Sequence, residues 1–282
     1  MSLRSQIPLK SRAANPPKQA GLTLVELVVT IVLMGILAGG TVAFVTSSTQ
    51  SYVDTATRNQ LSSIGRLTVS RFELAIKNAV PNSIRTTTDG DCVEYLPIVA
   101  STFFINAPIA GTSVASATTM NVVSVSGLDS ASYVVLYPTN ADDLYQTIIG
   151  SPGSITSVSS VSGGQITFDA SHTFSGRGPT NRVYFAGEPE AFCLVDADSR
   201  IYRYKSGTYA MQTTQPLPAS LPSGPPSRAV VSSQIANGPL KAFEYEDISG
   251  LQNSGLLRLT LKFTDGDETM LVEHDILNAN AP

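Results

Sequence analysis

Residues 22–46 form one apolar run that contains a single charge, Glu26. A run of more than about 20 apolar residues is long enough to cross a bilayer as a helix. An ionisable side chain inside such a segment is costly in lipid, so its presence points to a function that requires it. We therefore expect a transmembrane or filament-core helix over residues 22–46 and a specific role for Glu26.

A basic stretch precedes the run and ends at Gly21. Residues 1–21 contain four cations and no acid. Because positive residues stay on the cytoplasmic side, the chain after Val45 is expected to face the periplasm or the exterior. Cleavage after Gly21 would free an amine on Leu22, and that amine can neutralise the Glu26 carboxylate of a neighbouring subunit. A secretory signal peptide and a plain membrane anchor are the alternatives. The apolar run is long for a signal peptide and no A-x-A-like cleavage site follows it promptly, whereas a plain anchor leaves Glu26 without a role.

The helix is predicted to continue as an amphipathic segment over residues 47–82. Residues 47–80 contain no proline, and apolar residues recur three and four positions apart, as in a helix that packs on one face. That face comprises Leu61, Ile64, Phe72, Ala75, Ile76 and Ala79, with Thr68 as an imperfect member. Pro81 predicts the end of the helix, and Gly39 and Gly40 weaken it enough to allow a break.

Residues 83–282 have the sequence pattern of a β-rich head. Short runs of β-branched and aromatic residues alternate with Gly, Pro, Ser and Asp. The candidate strands are 92–99, 120–125, 133–137, 165–168, 182–186, 191–195 and 200–205. The Ser/Thr-rich part, about 111–164, is either an inserted β lobe or a set of large exposed loops. The proline-rich part, 213–228, is expected to be an extended surface segment.

A β-hairpin is predicted near the C-terminus. Leu257, Leu259 and Leu261 alternate with polar residues, Asp265-Gly266 stands at the turn, and residues 269–277 form the returning strand. The acids at the turn, Asp265, Asp267 and Glu268, could bind calcium through their oxygen atoms, but a solvated turn explains them more simply.

The remaining reactive residues indicate a structural protein rather than an enzyme. Cys92 and Cys193 are expected to form a disulfide outside the cytoplasm, the alternative being two buried thiols. His172 and His274 lack the spacing of a metal site, and no nucleophile elbow or phosphate-binding loop occurs. We therefore expect no catalytic residue, no cofactor and no metal. Loss of the four leader cations takes the formal charge from −4 to −8, which disfavours a nucleic-acid partner.

Gly21, Leu22, Thr23, Leu24 and Glu26 match the class III signal of type IV prepilins and pseudopilins position by position, with Leu22 in place of the usual Phe. The resemblance implies an α+β, type IV pilin-like fold, in which the hydrophobic half of a long N-terminal helix protrudes and the amphipathic half packs on an antiparallel β head. It implies that a prepilin peptidase cuts between Gly21 and Leu22 and methylates Leu22, and that Glu26 forms the assembly salt bridge.

The same resemblance implies where the protein resides and which partners it has. The partners are other pilin and minor pilin subunits, the prepilin peptidase and the inner-membrane assembly platform. Before assembly the chain is expected to cross the inner membrane once with a periplasmic head. After assembly it belongs to a pilus on the cell surface.

Three further stretches are similar to minor pilins of the mannose-sensitive haemagglutinin (MSHA) pilus, of the MshO type. They are the helix end at 71–85, the cysteine-containing run 92–98, and a third stretch made of 182–193 together with 201–204. This similarity implies a low-abundance subunit that initiates or caps the pilus. A minor pseudopilin of type II secretion, of the J type, is the first alternative. A tip adhesin that binds a glycan or a surface is the second.

Overall fold

The computed structural model describes residues 21–113, 116–146, 148–205, 211–215, 221, 228–248 and 254–278. The leader before Gly21 and most of the proline-rich part at 213–228 lie outside these residues. Contacts between residues divide the chain into two units, Met1–Val53 and Asp54–Pro282. One helix begins in the first unit and ends in the second.

The helix, α1, spans Leu24–Lys77 and has 54 residues. It is continuous through Gly39 and Gly40, where a break was allowed, because a cost of about 1 kcal/mol per glycine does not interrupt a helix of this length. It ends before the predicted stop at Pro81. The last turn tightens, and the Val80 N–H donates to the Leu96 carbonyl at 2.8 Å, so the backbone after Lys77 already pairs with the β-rich part.

Fourteen strands follow the helix among the described residues, and all their pairings are antiparallel. They are β1 Arg85–Thr86, β2 Cys92–Tyr95, β3 Ile98–Asn106, β4 Ala117–Val122, β5 Tyr133–Val135, β6 Ile155–Ser162, β7 Gln165–His172, β8 Arg182–Ala186, β9 Glu190–Val195, β10 Arg200–Tyr204, β11 Arg228–Ser233, β12 Phe243–Ile248, β13 Ser254–Asp265 and β14 Glu268–Asn278. Short 3-10 helices lie at Leu128–Ser130, Ala141–Asp143 and Asp196–Asp198.

These strands form two open sheets and one barrel. The first sheet has the order β1-β2-β9-β10-β11, the second has the order β12-β13-β14, and β3-β4-β7-β6-β5-β8 close into a barrel. A long N-terminal apolar helix is thus combined with antiparallel β sheets. The Ser/Thr-rich part contributes β4, β5 and β6 to the barrel, and β3, β7 and β8 complete it.

The observed strands depart from the predicted ones in several places, and β1, β11 and β12 are strands that were not predicted. The run predicted over 92–99 is divided between β2 and β3, because Pro97 has no N–H for a ladder hydrogen bond. Strand β6 was not predicted, since five of its eight residues are Ser or Thr and its burial pattern shows no clean alternation. It is held in place by its neighbours β5 and β7.

The predicted C-terminal hairpin is confirmed. Strands β13 and β14 pair from Gly255 with Asn278 to Asp265 with Glu268. The connecting residues are Gly266 and Asp267, and of the two Gly266 has the positive φ, 57°. A glycine with positive φ at the first loop position is typical of a type II′ turn, so the turn begins one residue later than an Asp-Gly type I′ loop would.

The buried face of α1 agrees with the predicted amphipathic pattern, with one addition. Leu61, Gly65, Thr68, Phe72 and Ile76 are buried. The Thr68 hydroxyl donates to Ser232 Oγ at 2.7 Å, so this polar residue is satisfied inside the core. The addition is Gly65. A Cβ atom there would lie 3.0 Å from Val272 Cγ2 and 3.1 Å from Met270 Cε. The glycine therefore permits close approach of α1 to β14.

Phe72→Ala is expected to destabilise the head by about 3–5 kcal/mol, the usual cost of emptying a buried phenylalanine site. The Phe72 side chain is fully buried. The centroid of its ring lies 4.6 Å from the ring centroid of Phe192 and 5.3 Å from that of Phe243. The measurement is denaturant unfolding of the detergent-solubilised mature chain, followed by tyrosine near-UV circular dichroism. Leu74→Ala is the matched control, because Leu74 is 68% exposed on the same helix; equal losses in both variants would contradict the prediction.

Candidate functional site

The first turn of α1 places Thr23 and Glu26 together. Thr23 is the N-cap residue, and its Oγ1 accepts a hydrogen bond from the Glu26 N–H at 3.3 Å. Threonine followed three residues later by glutamate is the capping-box pattern, and an acid in the first turn is favourable next to the positive end of the helix dipole. Gly21 and Leu22 precede the helix, so the predicted scissile bond lies in non-helical chain.

The apolar part of α1 is fully exposed in the structure. Every residue from 21 to 53 is exposed, including Leu24 at 78% and Phe44 at 72%. By length and composition this part of the helix is able to cross a membrane. A continuous apolar surface of this size is unfavourable in water, so the segment requires lipid or other apolar helices around it.

Hydroxyl groups within this segment are satisfied by the helix itself. Thr30, Thr41, Thr46 and Thr49 donate to carbonyl oxygens three or four residues earlier, at 2.7–2.9 Å. Such bonds let hydroxyl side chains enter an apolar environment. The Glu26 carboxylate has no hydrogen-bond or ionic partner among the described residues. It is therefore the group in this segment that most needs a partner from another molecule.

Comparison with known families bears on this segment. Residues 16–42 match the family model described as the prokaryotic N-terminal methylation motif. The chain carries a type IV pilin or pseudopilin signal. The match covers Gly21, Leu22 and Glu26, and it begins in the basic stretch before the described residues. No curated protein and no solved structure matches the chain significantly.

The signal implies a structural subunit rather than an enzyme. It implies processing by a prepilin peptidase and assembly with other pilins. The apolar helix suggests anchoring in a membrane. Together with the antiparallel sheets, this gives a layout consistent with a pilin.

The two cysteines are joined in the second unit. Cys92 on β2 and Cys193 on β9 lie directly opposite each other, their Cα atoms are 4.1 Å apart, and the structure contains the disulfide. Both are buried. The bond links residues 101 positions apart in sequence, and in the chain-entropy model a loop of that length contributes about 4.7 kcal/mol.

Three contacts that the sequence did not reveal hold α1 along β14. Arg58 Nε and Nη2 donate to both oxygens of Glu268 at 2.8 and 2.9 Å, Gly65 lies under Val272, and His274 Nε2 lies 3.0 Å from Glu73 Oε1. From Arg58 to Glu73 a helix rises about 22 Å, and from Glu268 to His274 a strand advances about 20 Å. The helix and the strand thus run side by side.

Two residues that could have served as metal ligands, Glu268 and His274, are already engaged in these contacts. Glu268 is engaged by Arg58, whose hydrogen bonds lower the pKa of its carboxyl, and His274 bonds to Glu73. His172 is buried between Phe168 and Phe174, and burial lowers the pKa of its imidazole. Across the described residues, no group of three or more His, Cys, Asp and Glu side chains is placed to hold a metal ion.

A buried ion pair connects β1, β2 and the start of the proline-rich part. Arg85 Nε donates to Glu94 Oε2 at 2.6 Å, and the two side chains are 7% and 2% exposed. The terminal nitrogens of Arg85 donate to the carbonyl oxygens of Gln212 and Thr213 at 2.7 and 2.8 Å. Burial of the Glu94 carboxyl outweighs the opposing effect of the Arg85 charge and hydrogen bond, and it raises the pKa of this carboxyl to about 7.

This raised pKa predicts that stability falls as the pH rises from about 4.5 to about 7. In that window the folded chain holds a proton that the unfolded chain has lost, so the free energy of unfolding decreases by up to about 1.4 kcal/mol per pH unit. Thermal unfolding at a series of pH values measures the slope, and Glu94→Gln is expected to reduce it. Glu273→Gln, at an exposed position on β14, is the control. An unchanged slope in Glu94→Gln would show that Glu94 is not responsible.

Proposed function

We propose that the chain is a minor pilin of a type IV pilus, of the MSHA-like kind and the MshO type. The observation that carries the proposal is the methylation motif at 16–42, followed by a helix segment whose apolar surface is fully exposed. In this function the prepilin peptidase cuts between Gly21 and Leu22, the Leu22 amine is methylated, and the subunit is extracted from the inner membrane into a filament.

Assembly is proposed to depend on Glu26 and the new N-terminus. An unpaired carboxylate in apolar surroundings is costly, so it pairs with the Leu22 ammonium of a neighbouring subunit. The capping hydrogen bond from the Glu26 N–H to Thr23 keeps Glu26 in the first helical turn, close to the mature N-terminus of its own chain. The pair sets the register between helices, and the apolar side chains supply most of the cohesion.

A place in the initiation or tip complex is supported by the size of the head. Two sheets and a closed barrel follow α1, and such a body is easier to accommodate at the end of a filament than repeatedly along its shaft. Three strands within the runs that resemble MshO proteins, β2, β9 and β10, are neighbours in one sheet. A minor pseudopilin of type II secretion shares the motif. Deletion of the gene separates the two, because it removes pili in one case and secretion in the other.

One observation favours the adhesin alternative. A polar cleft of about 460 Å³ is lined by residues that include Asn82, Asn140, Asp142, Gln215 and Tyr245. Amide and carboxylate groups beside an aromatic ring suit a sugar, and Asn140 and Asp142 belong to the Ser/Thr-rich part. A glycan array probed with the purified chain tests this function. Binding that is unchanged in Asp142→Ala would place any sugar site elsewhere.

Mass spectrometry of the mature N-terminus tests the main proposal. The expected mature chain begins at Leu22 and carries an extra methyl group on its amine. A functional chain that retains residues 1–21 would refute the proposed function.

A further inference from the structure

We propose that a cleft between α1 and β11 in the head binds a segment of a neighbouring pilin subunit in which a carboxylate is flanked by apolar side chains. The inference rests on the proposed function, since it names a partner of the assembled subunit. The cleft has a volume of about 490 Å³, which is enough for several side chains. It is distinct from the polar cleft and from the apolar segment of the helix.

The walls of the cleft are apolar and partly exposed. Leu74 projects from α1 with 68% of its surface exposed, and Val230 projects from β11 with 52% exposed. Tyr95 and Phe192 line the cleft between them. β11 is an edge strand, paired on one side with β10. Apolar side chains that are exposed around a concavity gain from being covered by a partner.

Among the described residues, both charged residues that line the cleft are arginines, Arg71 and Arg203. Arg203 is already paired with Glu190, which accepts from its Nε at 2.8 Å and from the Tyr95 hydroxyl at 2.7 Å. Arg71 differs, because it is exposed and donates to the carbonyl oxygen of Val231, a neutral acceptor. No carboxylate of a described residue lies within hydrogen-bonding distance of the Arg71 guanidinium to balance its positive charge.

The charge of Arg71 and the apolar walls together define the occupant. A carboxylate would pair with the guanidinium, and flanking aliphatic or aromatic side chains would cover Leu74 and Val230. An arginine beside an apolar pocket is a common anchor at protein interfaces. The whole chain is acidic, with a formal charge of −4, whereas both charged residues in the described lining of the cleft are arginines, so the cleft favours an acidic partner by charge complementarity.

The test is photo-crosslinking in cells of the native host that make the full chain. A photoreactive amino acid replaces Leu74, and the crosslinked peptide is identified by mass spectrometry. We expect a peptide from another pilin subunit that contains Asp or Glu between apolar residues. Arg71→Glu is expected to lower the adduct yield roughly tenfold or more, because reversing one member of an interfacial charge pair is strongly unfavourable. In the Arg71→Glu variant, replacing the partner's acid with arginine is expected to restore the adduct.

Two controls on the same chain test whether the adduct depends on the charge at position 71 and on the location of the photoreactive residue. Arg66→Glu reverses a charge on the exposed face of α1 outside the cleft and is expected to leave the adduct unchanged. A photoreactive residue at Leu271, 52% exposed on β14, is expected not to give it. The cleft assignment is overturned if no adduct forms at position 74, if Arg71→Glu has no effect, or if the linked peptide lacks an acid or comes from a second copy of this chain.

The mature N-terminus is measured in the same cells. An unprocessed chain overturns the proposed function, whereas a processed chain without the Arg71-dependent adduct overturns the cleft assignment alone.

Discussion

Glu26→Ala is expected to give a subunit that is processed and inserted in the membrane but largely missing from sheared filaments. The reason is the Leu22 ammonium of the neighbouring subunit, which would be left in apolar surroundings without a counter-ion. Removing one partner of a buried ion pair costs roughly 3–5 kcal/mol, which is enough to reduce incorporation more than a hundredfold. Immunoblots of sheared filaments and of membranes from the same cells measure the two populations.

Glu26 occupies the glutamate position of the capping-box sequence pattern, so Glu26→Gln is the decisive companion variant. Glutamine also satisfies a capping box, so it would preserve the start of the helix while removing the charge. If Glu26 acts through its charge, Gln is expected to fail like Ala. If it acts through helix capping alone, Gln is expected to restore incorporation. Thr30→Ala is a control in the same segment, since the Thr30 hydroxyl bonds to its own helix.

Gly21→Leu is expected to leave the chain as an uncleaved precursor, with a slower band on a gel and the mass of the full chain. The extent of processing of Gly21→Ala is expected to be closer to that of the native chain. The physical reason lies in the peptidase rather than in this chain. A Cβ atom at Gly21 would meet nothing within 4 Å, and Gly21 has no positive φ.

An added side chain at Gly21 therefore does not disturb the fold, and any block must arise where the peptidase approaches the bond between Gly21 and Leu22. Membrane insertion of the precursor is the control, because the apolar run is unchanged. Processing of Gly21→Leu at the native rate would contradict the assignment of this bond as the cleavage site.

Much of the helical part was predictable because its signals are local. The apolar run, the three- and four-residue spacing from Leu61 to Ile76, and the Thr23 to Glu26 pattern each depend on residues within a few turns of one another. The predicted end at Pro81 was late by four residues. That difference arose because Val80 pairs with Leu96, a contact that the helical pattern does not contain.

The interactions that position the head were hidden because their partners are far apart in the chain. A glycine inside a helix ordinarily lowers its stability, yet Gly65 is where α1 approaches β14. Arg58 and Glu268 are 210 residues apart, and neither one predicts the other. The same holds for Arg71 and the cleft, since no sequence pattern connects α1 with β11.

By itself, the sequence determined the apolar helix, the single acid at Glu26, the methylation motif and the C-terminal hairpin, since each follows from residue type and short-range spacing. The tertiary structure decided which strands close the barrel, how Cys92 faces Cys193, and where arginines meet carboxylates or stay exposed. Those outcomes depend on pairing between distant segments, in which burial, register and charge are settled jointly rather than residue by residue.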